Sequence, residues 1–221
     1  VVDDYGNWDY CTTSITIDDN DDVCPDSPSA IRIAGRITNE IDEIVDGVTV
    51  RLQGGALGQV DRSQSVDEQG VFNFYVEKGH DWSITGEKLD AYLNGVTAQD
   101  LSLIQRHIVG SEMLDSDFKR MASDANGDSD IDIRDILDLR KLLLGIYDEL
   151  PGNLSWRLVD KDYEFDGMSE YSLPSNIYET GEIVYNNLTS SKLGTDFIAV
   201  KIGDVDDDTV PNSFMEGEER S

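Results

Sequence analysis

The stretch DANGDSDIDIRDILDLRKLLLG, residues 124–145, decides the fold of the middle of this chain. In its first part, residues 124–135, side chains that carry oxygen alternate with small or apolar ones. The remainder has apolar residues at helical spacing and ends at Gly145, which suits the position just after a helix. A loop of oxygen ligands that leads directly into a helix is typical of calcium sites.

The loop has oxygen side chains at positions one, three, five, nine and twelve, which is the ligand spacing of EF-hand loops. Position seven needs only its backbone carbonyl, and Ser129 stands where the sharp turn usually has Gly. Without a cation the neighbouring carboxylates would repel one another. A solvated acidic loop before a helix is the alternative, but the spacing and the helix together favour Ca²⁺. The predicted ligands are Asp124, Asn126, Asp128, Asp130, Asp132 and Asp135.

A similar loop and helix occur 35 positions earlier, counted from Asp100 to Asp135. This earlier helix lies within TAQDLSLIQRHIVG, residues 97–110, and also ends at a Gly. Its inward face is formed by Leu101, Ile104 and Ile108. A third, shorter helix is predicted between the two copies, at residues 116–122. The chain therefore contains an internal repeat of an acidic loop followed by a helix.

The loop of the earlier copy departs from the pattern. When the loop is counted back from its twelfth position, ligand positions fall on Leu89, Ala91 and Leu93, whose side chains cannot bind a cation. A loop one residue shorter avoids this conflict and gives the Asn-Gly turn at 94–95 a purpose. We therefore predict a second, weaker calcium site with the ligands Asp90, Asn94, Thr97 and Asp100.

Short strands flank the helical region on both sides. Before it, VTVRL (48–52) and VFNFYV (71–76) alternate apolar with polar residues and are bounded by glycines, which favours a small β-sandwich. After it, WRLVD (156–160), EIVY (182–185) and FIAVKI (197–202) are the candidate strands. These three are too few for an independent core, so we expect them to pack against the sandwich or the helices.

The fold class predicted from these patterns is α+β. Residues 1–27 contain one strand and a linker, and residues 28–89 form the β-sandwich. Residues 90–149 form a three-helix calcium-binding module, and residues 150–221 form a strand-rich extension. The first residues already have the pattern of a strand, which predicts that the sequence is part of a longer protein.

The charge of the chain excludes two classes of partner. There are 46 acidic and 17 basic residues, which gives a net charge of −29. Such a surface repels the phosphates of nucleic acids and anionic lipids, so neither is expected to bind. No apolar run approaches the roughly 20 residues that a membrane-spanning helix needs, so membrane insertion is not expected either.

The cysteines point to the compartment. Cys11 and Cys24 lie close together in sequence with no His or further Cys nearby, which disfavours a zinc site. A disulfide between them is the favoured interpretation, and it predicts an extracellular protein.

The duplicated loop and helix resemble type I dockerins, and the resemblance covers residues 90–145. It implies that the module binds two calcium ions and docks onto a cohesin-like domain of a scaffold. By position, the resemblance implies these partner-binding residues: Ala98, Gln99, Gln105, Arg106, Ile133, Arg134, Arg140 and Lys141. The Ser-Thr pair usual in dockerins is missing from both copies, and a solvated helix face is the alternative for the basic residues.

Other segments extend the resemblance. IAGRIT (33–38) and DGVTVRL (46–52) are similar to carboxypeptidase regulatory-like or transthyretin-like sandwiches. Together with SWRLVD (155–160) and DFIAVKIGDVDDD (196–208), the order of motifs resembles the C-terminal part of large modular surface proteins exported by type IX systems. This implies a location at the bacterial cell surface, after an immunoglobulin-like domain, and partners among neighbouring modules or subunits.

The acidic run at Asp204, Asp206 and Asp208 alternates like half of a dockerin loop, but no second half or helix follows it. A surface acidic turn is therefore favoured there over an ion site. No nucleophile, metalloprotease or phosphate-loop motif is present, so no enzymatic activity is expected. We predict a calcium-stabilised structural or adhesive module; the alternative is a dockerin that recruits its parent, such as a glycan-active enzyme, to a scaffold.

Overall fold

The computed structural model describes residues 30–88, 92–179 and 181–211. The fold is α+β, as the sequence predicts. The described elements are β1 Ala30–Thr38, β2 Thr49–Gly54, β3 Val60–Ser65, β4 Val71–Glu77, β5 His80–Glu87, α1 Ala98–Ile108, α2 Asp117–Ser123, α3 Ile133–Leu143, β6 Trp156–Asp160, β7 Glu182–Leu188 and β8 Phe197–Lys201. No helix among them combines the length and the hydropathy needed to cross a membrane. The predicted Cys11–Cys24 disulfide, the strand within 1–27 and the predicted ligand Asp90 lie outside the described residues.

The strands form two four-stranded sheets, one in the order β4-β1-β8-β6 and the other in the order β3-β2-β5-β7. Strands β1 and β8 pair in parallel and the other neighbours are antiparallel. Of the three strands that follow the helices, β6 and β8 belong to the first sheet and β7 belongs to the second. This agrees with the expectation that these strands pack against the sandwich. They cover the edges of β1 and β5 that strands from 30–88 leave unpaired.

The sandwich core lies between the two sheets. Strand β4 shows how the sequence builds it, because Phe72, Phe74 and Val76 alternate with more exposed residues and point to the same side. Strand β6 adds Trp156, which is 2% exposed, to the same core. The extension after residue 150 thus supplies some of the largest side chains of the sandwich.

Strand β8 separates this core from a second one. Its five residues are all buried. Phe197 and Ala199 face the sandwich core, whereas Ile198 and Val200 face the core beneath the helices. A strand that is covered on both faces needs a continuous apolar run, which FIAV provides.

Helices α1 and α3 begin in the same way. Thr97 and Asp132 are the N-cap residues, and each forms a capping box with an aspartate three positions later. The apolar faces of the two helices then meet, with Ile104 and Leu139 fully buried. Helix α2 begins at the N-cap Ser116, so all three predicted helices are present.

Candidate metal centre

Asp124 is the first residue of the acidic loop in sequence, and its carboxylate is enclosed by the rest of the loop. The residue is fully buried. Its carboxylate accepts hydrogen bonds of 2.8 Å from the backbone N–H groups of Gly127 and Ser129. The hydroxyl of Tyr178 also donates to it, from the segment that follows β6. The loop therefore wraps around one carboxylate, and Tyr178 closes it from outside.

Asp135, the last residue of the loop, is also fully buried. One of its oxygens accepts a 2.8 Å hydrogen bond from the backbone N–H of Asp132, and the other accepts a 3.2 Å bond from that of Asn126. Asp135 thus caps α3 and holds the start of the loop against the helix.

Burial raises the pKa of both of these carboxyl groups. For Asp135 the pKa rises to about 7, because desolvation is reinforced by the charges of Asp124 and Asp128. Desolvation likewise raises the pKa of Asp124. Two buried acids that face each other favour either a proton or a bound cation.

The outer acids of the loop face a guanidinium group. Arg134, in the first turn of α3, forms ion pairs of 2.6 Å with Asp128 and 2.8 Å with Asp132. Asp130 lies 3.7 Å from the same group. The structure therefore places Arg134, predicted from the dockerin resemblance as a partner-binding residue, across the open side of the loop.

The backbone of the loop follows the expected turn despite one substitution. Ser129 has a φ of 69°, so it adopts the left-handed conformation that Gly usually supplies. The neighbouring Ile131 donates a 2.8 Å hydrogen bond to the carbonyl of Tyr171, and Leu173 donates one of 2.8 Å to the carbonyl of Ser129. The short extended part of the loop therefore pairs with a segment that follows β6.

Three predicted ligands of the first loop, Asn94, Thr97 and Asp100, lie in the described part of the chain, and each has protein hydrogen-bond partners. Asn94 binds the backbone of Val210, donating to its carbonyl at 3.0 Å and accepting from its N–H at 3.3 Å. Thr97 caps α1: its backbone N–H donates to Asp100 at 2.8 Å, and its hydroxyl accepts from Gln99. Asp100 is fully buried, as a ligand at position twelve would be.

Asp100 meets the acidic run near the end of the described chain. One oxygen each of Asp100, Asp204 and Asp206 lies within 4.8 Å of the others, and no other trio of acids, His or Cys in the described residues is as close. Asp204 is only 6% exposed, so the prediction of a surface turn was wrong for this residue. Its pKa is raised to about 7, first by burial and then by the charge of Asp100.

The acids around Asp124 are not gathered as tightly, because Asp128 and Asp132 turn toward Arg134. Sequence reasoning identified that loop from its spacing but missed the group around Asp204. The signal was present in the alternating aspartates at 204–208. Asp100, which lies beside Asp204 in the structure, is about a hundred positions earlier in the sequence, so local spacing does not connect the two.

The residues predicted to bind a partner lie on the outer faces of α1 and α3. All are exposed except Lys141, which is partly buried and binds Asp138 and the Tyr147 hydroxyl, each at 3.0 Å. Arg106 pairs with Glu112 at 2.7 Å. On α3, the exposed Ile133 is accompanied by Leu137, which is 44% exposed.

Neither the comparison with protein-family models nor the search of curated proteins gave a match to this chain.

Proposed function

We propose that the chain is a non-catalytic module of a secreted bacterial surface protein, and that Ca²⁺ stabilises its dockerin-like helical part. The observation that carries the proposal is the burial of Asp124 and Asp135 at the two ends of one loop with EF-hand spacing. The fused sandwich suits a structural or adhesive role, because the helices share a core with it.

The electrostatics of the loop support a cation. Neither Asp124 nor Asp135 forms an ion pair with a Lys or Arg among the described residues, since Arg134 pairs with the outer acids. Burying an uncompensated charge costs several kcal/mol, on the order of the stability of a small domain. A divalent cation would remove this cost at pH values where the acids are ionised.

The donor set fits calcium. Oxygen is the only ligand type in the loop, which matches the preference of this hard cation and disfavours zinc. The residues that would hold the ion are Asp124, Asn126, Asp128, Asp130, Asp132 and Asp135. Bound calcium would supply positive charge, and Arg134 would have to release Asp128 and Asp132 to admit it.

Isothermal titration of the metal-free protein with CaCl₂ tests the proposal. The intact chain should bind calcium, and Asp135→Asn should lose most of the binding because it removes a buried ligand charge. Asp148→Asn is the matched control, since Asp148 is exposed and lies beyond the end of α3. The proposal fails if the intact chain shows no calcium binding, or if Asp148→Asn weakens it as much as Asp135→Asn.

A second function is recruitment of the parent protein to a cohesin-bearing scaffold. The exposure of Ile133, at 58%, beside Leu137 and Arg140 on the outer face of α3 favours it. Binding to scaffold proteins from the native cell surface should then be lost in Ile133→Asp, whereas the calcium titration should not change. Retention of binding in that variant would contradict this second function.

A further inference from the structure

The geometry points to a second site for a hard divalent cation, assembled from two distant segments: Asp100 at the start of α1, and Asp204, Asp206 and Asp208 after β8. We call it the split site. It deepens the proposed function by adding a second ion to the module, and it rests on that function only for the choice of calcium.

The acidic run after β8 has the form of the first half of a calcium loop. Asp204 accepts a 2.9 Å hydrogen bond from the N–H of Asp207 and a 3.0 Å bond from that of Thr209. These two donors lie three and five positions after Asp204, and two of the backbone donors to Asp124, Gly127 and Ser129, lie three and five positions after it. Asp207 has a φ of 62° where the loop of Asp124 has a Gly at 73°.

The segment before α1 has the form of the second half. Thr97 and Asp100 form the same capping box as Asp132 and Asp135. The two halves are in direct contact, because Asp100 accepts a 2.8 Å hydrogen bond from the N–H of Val205. Together they supply the beginning and the end of one ligand loop from different parts of the chain.

A separate observation indicates that the group lacks a ligand. Oδ1 of Asp206 has less than 1 Å² of accessible surface and no hydrogen-bond partner in the part of the chain that the structure describes. Asp206 belongs to the trio in which one carboxylate oxygen of each residue lies within 4.8 Å of the others, and in which Asp100 and Asp204 are buried. A buried oxygen without a donor is costly, and a cation among the three carboxylates would satisfy it.

Nearby protein cations do not neutralise the group. The ammonium group of Lys119 pairs with Asp115 and Asp207, each at 3.2 Å, and these two acids are not members of the trio. Within the part of the chain that the structure describes, none of the three members of the trio forms an ion pair with a Lys or Arg. Their charges are therefore available to an external cation.

The chemistry of the trio selects the class of cation. All its ligands are carboxylates, and no His or Cys belongs to it, which favours a hard ion over zinc or copper. Calcium tolerates irregular geometry, whereas magnesium requires a near-ideal octahedron. Ligands drawn from two chain segments suit the more tolerant ion.

Calcium content after equilibrium dialysis, measured by atomic emission on the intact protein, tests the split site. We expect two ions per chain, one in Asp206→Asn and one in Asp128→Asn. If the intact chain holds one ion that only Asp128→Asn removes, the split site is wrong and the proposed function stands. If the intact chain holds none, both are wrong, and if Asp206→Asn keeps two, the split site is wrong.

Asp208→Asn provides a test that is independent of folding, since Asp208 is exposed. This change should weaken one of two binding steps in a calcium titration and leave the other unchanged. A titration identical to that of the intact chain would show that Asp208 is not a ligand. If Asp206→Asn also retains two ions, the split site as a whole is wrong.

Discussion

The carboxylate of Asp100 accepts a 2.8 Å hydrogen bond from the backbone N–H of Val205, 105 positions further along the chain. Asp100 lies in the first turn of α1, where the helical region begins, and Val205 follows β8, the last strand of the sandwich. The contact therefore joins the entry of the helices to the exit from β8. Since β5 and β6 already flank the helices within the sandwich, the helical region is held at both ends.

We expect removal of calcium to lower the thermal midpoint of the intact protein. At ten times the dissociation constant, one site contributes about 1.4 kcal/mol. For a chain of this size, each kcal/mol corresponds to about 2–4 °C. Differential scanning calorimetry with and without chelator measures the shift, and adding magnesium in place of calcium should restore less of it. An unchanged midpoint after chelation would contradict the calcium assignment.

Replacing Arg134 with Gln should tighten calcium binding at the loop of Asp124. The guanidinium group pairs with Asp128 and Asp132, so it competes with the ion for the same oxygens. The competition of an exposed ion pair is weak, and a gain of up to about fivefold in affinity is expected. Calcium titration of the variant measures it.

Arg140→Gln is the control for this prediction, because Arg140 is exposed on the same helix and has no ion pair among the described residues. It removes the same charge without freeing the loop. An equal gain in both variants would mean that net charge, not competition at the loop, sets the affinity. Weaker binding in Arg134→Gln would show that the arginine supports the site.

The local patterns of the sequence were sufficient to predict the helices and the main loop. Periodicity predicted the buried faces of α1 and α3, and the spacing of oxygen side chains predicted a loop over residues 124–135, because both signals repeat within a few residues. Strand pairing was not predictable in this way. The run FIAV in β8 is apolar on both faces, so it does not reveal that the strand lies between β1 and β6.

The burial of Asp204 beside Asp100 was likewise not predictable from local patterns. A ligand loop is recognised by spacing, and spacing has no meaning across a break of about a hundred residues. Only the fold brings Asp204 to Asp100. The position of Arg134 over its own loop also depends on a side-chain rotamer, which the sequence pattern does not determine.

The metal-free protein should become less stable as the pH rises from about 4 to about 7. The folded pKa values of Asp135 and Asp204 are raised to about 7, above the value of about 3.9 in an unfolded chain. The folded state therefore binds their protons more tightly, and this stabilisation is lost as the pH rises through the folded pKa. Neighbouring negative charges raise these two pKa values further. The neighbours of Asp135 are Asp124 and Asp128, and those of Asp204 are Asp100, Asp206 and Asp208.

Calcium should reverse this trend over the same pH range. The ion replaces the protons, so its affinity rises until the acids are ionised near pH 7. The gap between the melting temperatures of the calcium-bound and calcium-free protein should widen from about pH 5 to about pH 7. Acids with lowered pKa values, such as Asp115 and Asp132, titrate below this range. A gap that narrows toward pH 7 would contradict the prediction.

Gly95→Ala should loosen the contact between the segments that build the split site. Gly95 has a φ of 72°, and a Cβ there would lie 2.5 Å from Cβ of Thr209. The variant therefore incurs backbone strain of about 1–2 kcal/mol and an additional steric cost of about 1–3 kcal/mol. Chemical denaturation measures the sum.

Gly145→Ala is the matched control, because Gly145 has a φ of 66° and no atom lies within 4 Å of the added methyl group. It incurs the strain alone. We expect Gly95→Ala to lose more stability than the control and also to weaken calcium binding. If both variants lose the same stability and calcium binding does not change, the contact of Gly95 with Thr209 does not support the ion site.

The helices and the sandwich should unfold together, because β8 belongs to both cores. Ile198 is 6% exposed and packs beneath the helices, while its neighbours Phe197 and Ala199 pack inside the sandwich. Ile198→Ala should cost about 2–5 kcal/mol, and hydrogen exchange should accelerate equally in peptides from α3 and from β2. Val184→Ala on β7, where the side chain is 52% exposed, is the control and should change exchange little. Acceleration confined to the helices would mean that they open independently, and that calcium stabilises only that part of the chain.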